Sequence, residues 1–287
     1  MVVDTFLQEK SQRVVSALEA CFSGYTHAPD GLVDAMKYSL FSGGKRLRPA
    51  LVLGACELMC ADDAPGLPAA CALEMVHTYS LIHDDLPCMD NDDMRRGRPT
   101  LHRQFGEAAA VLAGDALLTM AFYELARTGR ADAVVELAEA SGVVGMVGGQ
   151  YCDMQAEGVV GDLDSLQQIH ARKTGALITV ALRLGALFGG ASTEQLEALT
   201  RYGRHLGMLF QITDDILDVA GDARTLGKSV GKDQRSAKTT YPSVMGLERA
   251  RAMAGVAAAD AADELALFGE EANVFRVLPQ YILERDR

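Results

Sequence analysis

Two aspartate clusters in this chain could do chemistry together. The first is Ser80-Leu81-Ile82-His83-Asp84-Asp85-Leu86-Pro87-Cys88-Met89-Asp90, followed by Asn91-Asp92-Asp93-Met94-Arg95-Arg96. The second is Leu209-Phe210-Gln211-Ile212-Thr213-Asp214-Asp215-Ile216-Leu217-Asp218. Carboxylates set among Ile and Leu must be compensated, because buried unpaired charge is expensive. Oxygen-only ligand sets select hard cations such as Mg²⁺, which commonly bridge to phosphates. The clusters therefore point to a phosphorylated substrate handled through magnesium.

Spacing gives the clusters different shapes. Asp214 and Asp218 are four apart, on one helix face and about 6 Å apart along the axis. Two carboxylates so placed repel unless a cation lies between them. Asp84 and Asp90 are six apart, which on a straight helix turns them roughly 120° from one another. Pro87 lies between them and cannot donate a helical hydrogen bond, so a local bulge is expected to swing Asp90 back beside Asp84. Ile82-His83-Asp84-Asp85 and Ile212-Thr213-Asp214-Asp215 echo each other 130 residues apart. That suggests two helices presenting carboxylates to one cavity.

Cations stand nearby in sequence. Arg95 and Arg96 follow the first cluster, and adjacent guanidiniums suit phosphate oxygens. Gly43-Gly44-Lys45-Arg46-Leu47-Arg48-Pro49 places three cations on a Gly-opened segment, which suits a second, metal-independent anion site. It is not a P-loop, since the Gly-x4-Gly-Lys-Ser/Thr spacing is missing. The segment from Thr225 to Asp233, with Lys228 and Lys232, is a further basic, glycine-rich stretch that could fold over phosphates.

The elements that must position these groups read as helices. Val14, Val15, Leu18 and Phe22 mark a first amphipathic helix, and helical periodicity continues near 31–41, 48–61, 67–86, 106–127, 131–156, 163–170, 173–189, 193–219 and 242–268. Strand-like alternation bounded by hairpin turns is absent. Gly and Pro punctuate the junctions and no linker is long, so one all-α domain over 1–287 is expected. At 287 residues, 49% hydrophobic and without Trp, the chain can bury a large helical core. A net charge of −12 argues against nucleic acid as a partner. The six cysteines are scattered, and Cys56 with Cys60 lacks neighbours for a zinc set, so reduced thiols are expected. The N-terminal residues lack a signal-peptide pattern, and the apolar run from Ala176 to Gly190 is too short to span a bilayer. A cytoplasmic protein without stable membrane insertion is the expectation.

Taken together, these motifs resemble the bacterial short-chain trans-polyprenyl diphosphate synthase family, farnesyl diphosphate synthases above all. The resemblance runs from Gly43-Gly44-Lys45-Arg46-Leu47-Arg48-Pro49 through both aspartate motifs to Lys238-Thr239-Thr240-Tyr241-Pro242. Arg98 stands where Lys is frequent, which keeps the charge. The resemblance implies an isoprenoid synthase helical bundle around a central cavity, usually a homodimer. It implies three Mg²⁺ ions held by Asp84, Asp90 and Asp214, with Asp85 and Asp218 in support. Arg95, Lys173 and Lys228 would hold the allylic diphosphate, and Lys45, Arg48, His77 and Arg96 would hold isopentenyl diphosphate. Lys173, Thr174 and Gln211 form the implied catalytic set, the latter two beside the developing allylic cation. Gln150 and Asp153 would stand behind them.

Product length is the finer question. Tyr79 lies five residues before Asp84, about 7.5 Å along the helix from the metal site, where an aromatic ring should stop a growing tail. With the longer first motif, this position resembles that of C15 producers, although the small Ser80 next to it leaves room for another stop. Geranyl (C10) and geranylgeranyl (C20) diphosphate are the nearest alternatives. A terpene cyclase needs no isopentenyl site, and Lys45, Arg48 and Arg96 speak against it. A non-catalytic partner subunit should have lost motif carboxylates, and all are present. His83 is tempting as a base, yet equally a packing residue.

Overall fold

The computed structural model describes residues 2–158, 161–220 and 239–285. Apart from one short hairpin, its regular elements are helices: α1 (Val2–Phe22), α2 (Asp30–Leu40), α3 (Leu47–Cys60), α4 (Leu67–Asp84), α5 (Leu101–Phe105), α6 (Glu107–Ala126), α7 (Ala131–Ser141), α8 (Met146–Gln155), α9 (Leu163–His170), α10 (Ala176–Gly189), α11 (Thr193–Ala220), α12 (Tyr241–Met245), α13 (Leu247–Asp263) and α14 (Asn273–Leu283). A π-helical turn, Ala171–Gly175, joins α9 to α10. The 28 residues of α11 span about 42 Å.

Periodicity explains which faces are buried. In α1, Val3, Leu7, Lys10, Val14, Leu18 and Phe22 recur every three or four residues and all turn inward. Helices α4 and α10 are apolar on most sides, as central helices must be, with Leu73, Met75, Val76, Leu177, Val180 and Leu184 buried. Helix α10 packs between α3 and α11, α4 packs along α6, and α13 covers α11. By length and composition α6 could cross a membrane. Instead it lays Ala110, Ala113, Gly114, Leu117, Ala121 and Leu125 against the bundle.

Four expectations are corrected. The pattern over 131–156 is two helices, because Gly142 and Gly145 leave helical geometry at ψ −149° and −131°. Glycine gains least from staying helical, so the break falls there. The pattern over 242–268 is likewise split, at Gly246. Helix α4 ends at Asp84 instead of continuing through a bulge. Finally, a two-stranded ribbon does exist: β1 (Met94–Arg95) pairs antiparallel with β2 (Arg98–Pro99). Its two-residue turn has Arg96 at φ 53° and Gly97 at φ 75°, the paired positive values that suit a tight hairpin. All six cysteines are free; Cys56 and Cys71 are buried, whereas Cys60 and Cys88 are exposed.

Candidate active site

The two motifs are built differently. Asp84 closes α4, where the last carbonyls make the negative end of the helix dipole. The chain then folds back on itself, and the Asp90 N–H donates to the Asp84 carbonyl at 2.8 Å. Asp90 therefore returns beside Asp84 as expected, but through a turn past the helix end. Burial pushes the Asp84 carboxyl up to about 6; Lys173 pulls against that, and the negative charge of Asp90 adds to it. A carboxyl so placed at a helix C-terminus asks for a cation.

Asp85 faces the other way. It is buried and grips Arg95, accepting from Nε at 2.9 Å and from Nη2 at 2.6 Å. Burial works to lower the Arg95 pKa, but the hydrogen bonds to Asp85 together with the charges of Asp85, Asp92 and Asp84 raise it overall. Asp85 thus fixes the ribbon that follows the motif, and its side chain is committed to Arg95 rather than to the cleft.

The second motif repeats this division of labour. Asp214 sits partly exposed on α11, with Asp218 one turn further on. Asp215 is buried; its Oδ1 accepts from Gln211 Nε2 at 2.9 Å and its Oδ2 from the Tyr241 N–H at 3.0 Å. Gln211 in turn accepts from Thr174 Oγ1 at 2.9 Å. Thr174 and Gln211, 37 residues apart in sequence, are thereby joined. The π-helical turn presents Lys173 to Asp153 on α8, Nζ to Oδ2 at 2.7 Å. That approach needs Gly149, since a Cβ there would lie 2.7 Å from the Lys173 Cα.

The cations form a second group. Arg48 Nη1 lies 3.5 Å from His77 Nε2. Burial, reinforced by Arg48, Arg96, Arg95 and Arg46, holds His77 well below its ordinary pKa, so it is neutral. Arg96 donates to the Gly43 carbonyl, bringing the ribbon turn onto the Gly-opened segment. Lys45 Nζ lies over the Tyr281 ring, 5.8 Å from its centroid. Arg46 is not part of this group. It is buried and donates to Glu74 and to the Leu40 carbonyl, so the segment offers two cations, not three. Lys228 and the basic stretch 225–233 lie outside the described residues.

Unpartnered polar atoms mark where something else belongs. Arg48 Nε, both amide atoms of Gln150 and Asp218 Oδ2 are buried without a hydrogen-bond partner. Buried polar groups are nearly always satisfied, so these fit a ligand, ion or water. Among the described residues no three metal-ligating side chains converge on one point. Mg²⁺ keeps several waters and needs one or two carboxylates, which the motifs can supply, plus substrate phosphates. A cavity of about 580 Å³ touches the π-helical turn at Ala171 and Gly175 but none of the motif carboxylates, so it is not this site.

One neighbour escapes a reading of the motifs. Arg285, beyond α14, donates to Asp214 Oδ1 at 2.5 Å and to the Phe210 carbonyl at 3.0 Å, and stacks 4.2 Å from the Phe210 ring. No local pattern announces a partner 71 residues away. His83 packs edge-on against Tyr79, centroids 5.7 Å apart. Its Nε2 lies 3.1 Å from the Val111 carbonyl, which can only accept, so that nitrogen carries the proton. His83 is a packing residue here.

Known proteins resemble this chain in sequence and fold. The chain is 48% identical to a farnesyl diphosphate synthase of Geobacillus stearothermophilus over 257 residues, covering 87% of this chain and 86% of that protein. It is 46% identical to the large subunit 1 of a heterodimeric geranylgeranyl pyrophosphate synthase of Arabidopsis thaliana, over 93% of this chain and 75% of the relative. An FPP/GFPP synthase structure from Zymomonas mobilis superimposes with a TM-score of 0.85 at 38% identity, covering 98% and 99% of the two chains. The fold is that of the isoprenoid synthases. Residues 29–264 match the polyprenyl synthetase family, and the chain is a prenyltransferase belonging to it.

Proposed function

We propose that this enzyme condenses isopentenyl diphosphate with dimethylallyl or geranyl diphosphate to make farnesyl diphosphate (C15). The observation that carries the reading is two partly exposed carboxylate pairs, Asp84 with Asp90 and Asp214 with Asp218, with Arg95 and Lys173 acting on Asp84 and with Arg48 and Arg96 gathered around His77. Breaking the allylic carbon–oxygen bond leaves its electron pair on the diphosphate. Groups that meet this growing charge more strongly than they meet the substrate lower the barrier. Mg²⁺, three ions in our reading, supplies Lewis-acid stabilisation of that charge when bound by Asp84, Asp90 and Asp214.

The chain's own residues do the rest. Lys173, Arg95 and Lys228 hold the allylic diphosphate, and Asp85 keeps Arg95 charged and oriented. Lys45, Arg48, Arg96 and the neutral His77 hold isopentenyl diphosphate. The Thr174 hydroxyl and the Gln211 amide turn their dipoles to the developing allylic cation, in a pocket that excludes water. The double bond of isopentenyl diphosphate then forms the new carbon–carbon bond, and a proton leaves to the released diphosphate.

Tyr79 is the proposed end of the tail channel. It is 6% exposed, and burial, with the nearby Asp84 charge, pushes its hydroxyl up to about 12, so the ring stays neutral. A C20 product is the second reading, favoured by the small Ser80 and by the relative named as a geranylgeranyl synthase subunit. Replacement Tyr79→Ala is expected to move the main product from C15 to C20 or longer, read by chromatography of the dephosphorylated alcohols. An unchanged profile would sink the role of Tyr79. We further propose a homodimer, formed through the exposed Leu112 and Tyr123 of α6 together with Val143, Val144, Val147 and Tyr151. Exposed apolar side chains of this kind suit a partner.

A further inference from the structure

We infer that Gly114 and His83 form a brace that holds Tyr79 in its blocking position, and so help to set product length. The inference rests on the reading of Tyr79 as the channel end. Tyr79 and His83 are one turn apart on α4, and their rings meet edge to face at 80°. Among the described residues no hydrogen bond ties the Tyr79 hydroxyl, so packing alone orients its ring. His83, by contrast, is anchored through Nε2–H to the Val111 carbonyl on α6. Its ring occupies a notch that exists only because residue 114 has no side chain. A Cβ on Gly114 would lie 2.5 Å from His83 Cδ2 and 2.9 Å from Cε1, inside any tolerable contact.

Position therefore passes from the α6 backbone to His83, from His83 to Tyr79, and from Tyr79 to the prenyl tail. Neither Gly114 nor His83 meets the reacting atoms; both are positioning residues. The ring of His83 is the free end of a side chain, so a methyl group at 114 expels it rather than parting the helices. Expulsion costs the carbonyl anchor and the edge contact together. Tyr79 then regains other rotamers, and the channel lengthens. The Asp84 carboxylate lies on the next residue, roughly 100° round the helix, away from this contact.

The test compares Gly114→Ala, His83→Ala, the double variant and Tyr79→Ala, each given isopentenyl and geranyl diphosphates with Mg²⁺. The readout is the C20 to C15 ratio, with melting temperature alongside. Gly114→Ala and His83→Ala should each raise the ratio roughly two- to tenfold, the factor that losing one ring–ring contact gives. The double variant should match His83→Ala, because the methyl group acts only through the ring. An unchanged ratio in His83→Ala overturns the brace, and this variant carries the test alone should Gly114→Ala not fold. A Gly114→Ala effect that persists without His83 overturns it too, as does a drop in melting temperature with no change in ratio. If Tyr79→Ala itself leaves the ratio unchanged, the channel-end reading has failed. If Tyr79→Ala lengthens the product while His83→Ala does not, only the brace has failed.

Discussion

The two aspartate motifs carry the same pair of side chains, Asp84-Asp85 and Asp214-Asp215, in opposite mechanical settings. The first ends a helix and hands the chain to a turn and a ribbon, so its carboxylates and Arg95 are placed by loop and ribbon geometry. The second lies within one long helix, so Asp214 and Asp218 are spaced by the helix itself. In both, the first aspartate is partly exposed and the second is buried and committed: Asp85 to Arg95, Asp215 to Gln211 and the Tyr241 N–H. Adjacent residues on a helix point about 100° apart, so one can stay accessible while its neighbour turns to the scaffold. A doubled aspartate is thus one candidate ligand and one anchor, twice over.

That comparison can be broken by exchanging the roles. Asp84→Ala is expected to lose about a hundred- to a thousandfold in turnover, the scale of removing a principal electrostatic group, with the melting temperature held or raised. Full turnover in a folded Asp84→Ala protein would refute the magnesium site. Asp85→Ala and Asp215→Ala should instead lose stability, by about 3 kcal/mol each in chemical denaturation, because each leaves buried partners unpaired. If either anchor variant kept its stability and lost only activity, the division into ligand and anchor would be wrong.

A pH series sharpens the first motif. Asp84 is raised to about 6 in the fold, above the unfolded carboxyl value, so the folded protein holds this proton more tightly. Its contribution to metal-free stability is then full below about pH 4 and is lost as pH rises through about 6. Mg²⁺ held by Asp84, as proposed, would have to displace that proton. Affinity measured by calorimetry should rise by up to about tenfold per pH unit toward 6 and level off above it, and Asp84→Asn should flatten the curve. A curve already flat in the parent protein would remove Asp84 from the metal site.

The smallest effect is expected at the second motif. Asp214 is 42% exposed, so its pair with Arg285 is screened, and Arg285→Gln should cost less than about 1 kcal/mol of stability. The same change should tighten Mg²⁺ binding severalfold by freeing a carboxylate oxygen. Unaltered binding would mean that the contact does not compete with metal.

Much of this was legible in the sequence, for physical reasons that also explain the misses. Helical periodicity and four-residue spacing carry Asp214 and Asp218 directly, and Pro87 foretells a departure from helix between Asp84 and Asp90. Sequence adjacency, however, cannot say which aspartate of a pair faces the cleft. It also counted Arg46 with Lys45 and Arg48, although Glu74, 28 residues away, claims it. Arg285 on Asp214 and Gly114 beneath His83 are tertiary contacts between distant segments, and neither residue stands in a pattern. The breaks at Gly142, Gly145 and Gly246 were visible as glycines but not as breaks, since glycines also sit inside helices here, as Gly114 does.

The most direct measurement is the product of the parent enzyme. Incubated with isopentenyl diphosphate, dimethylallyl diphosphate and Mg²⁺, the protein should release farnesyl diphosphate as its main product, and none when Mg²⁺ is chelated. No elongation of the allylic diphosphate, or elongation that persists without the metal, would contradict the account; a C20 main product would contradict the assignment of Tyr79.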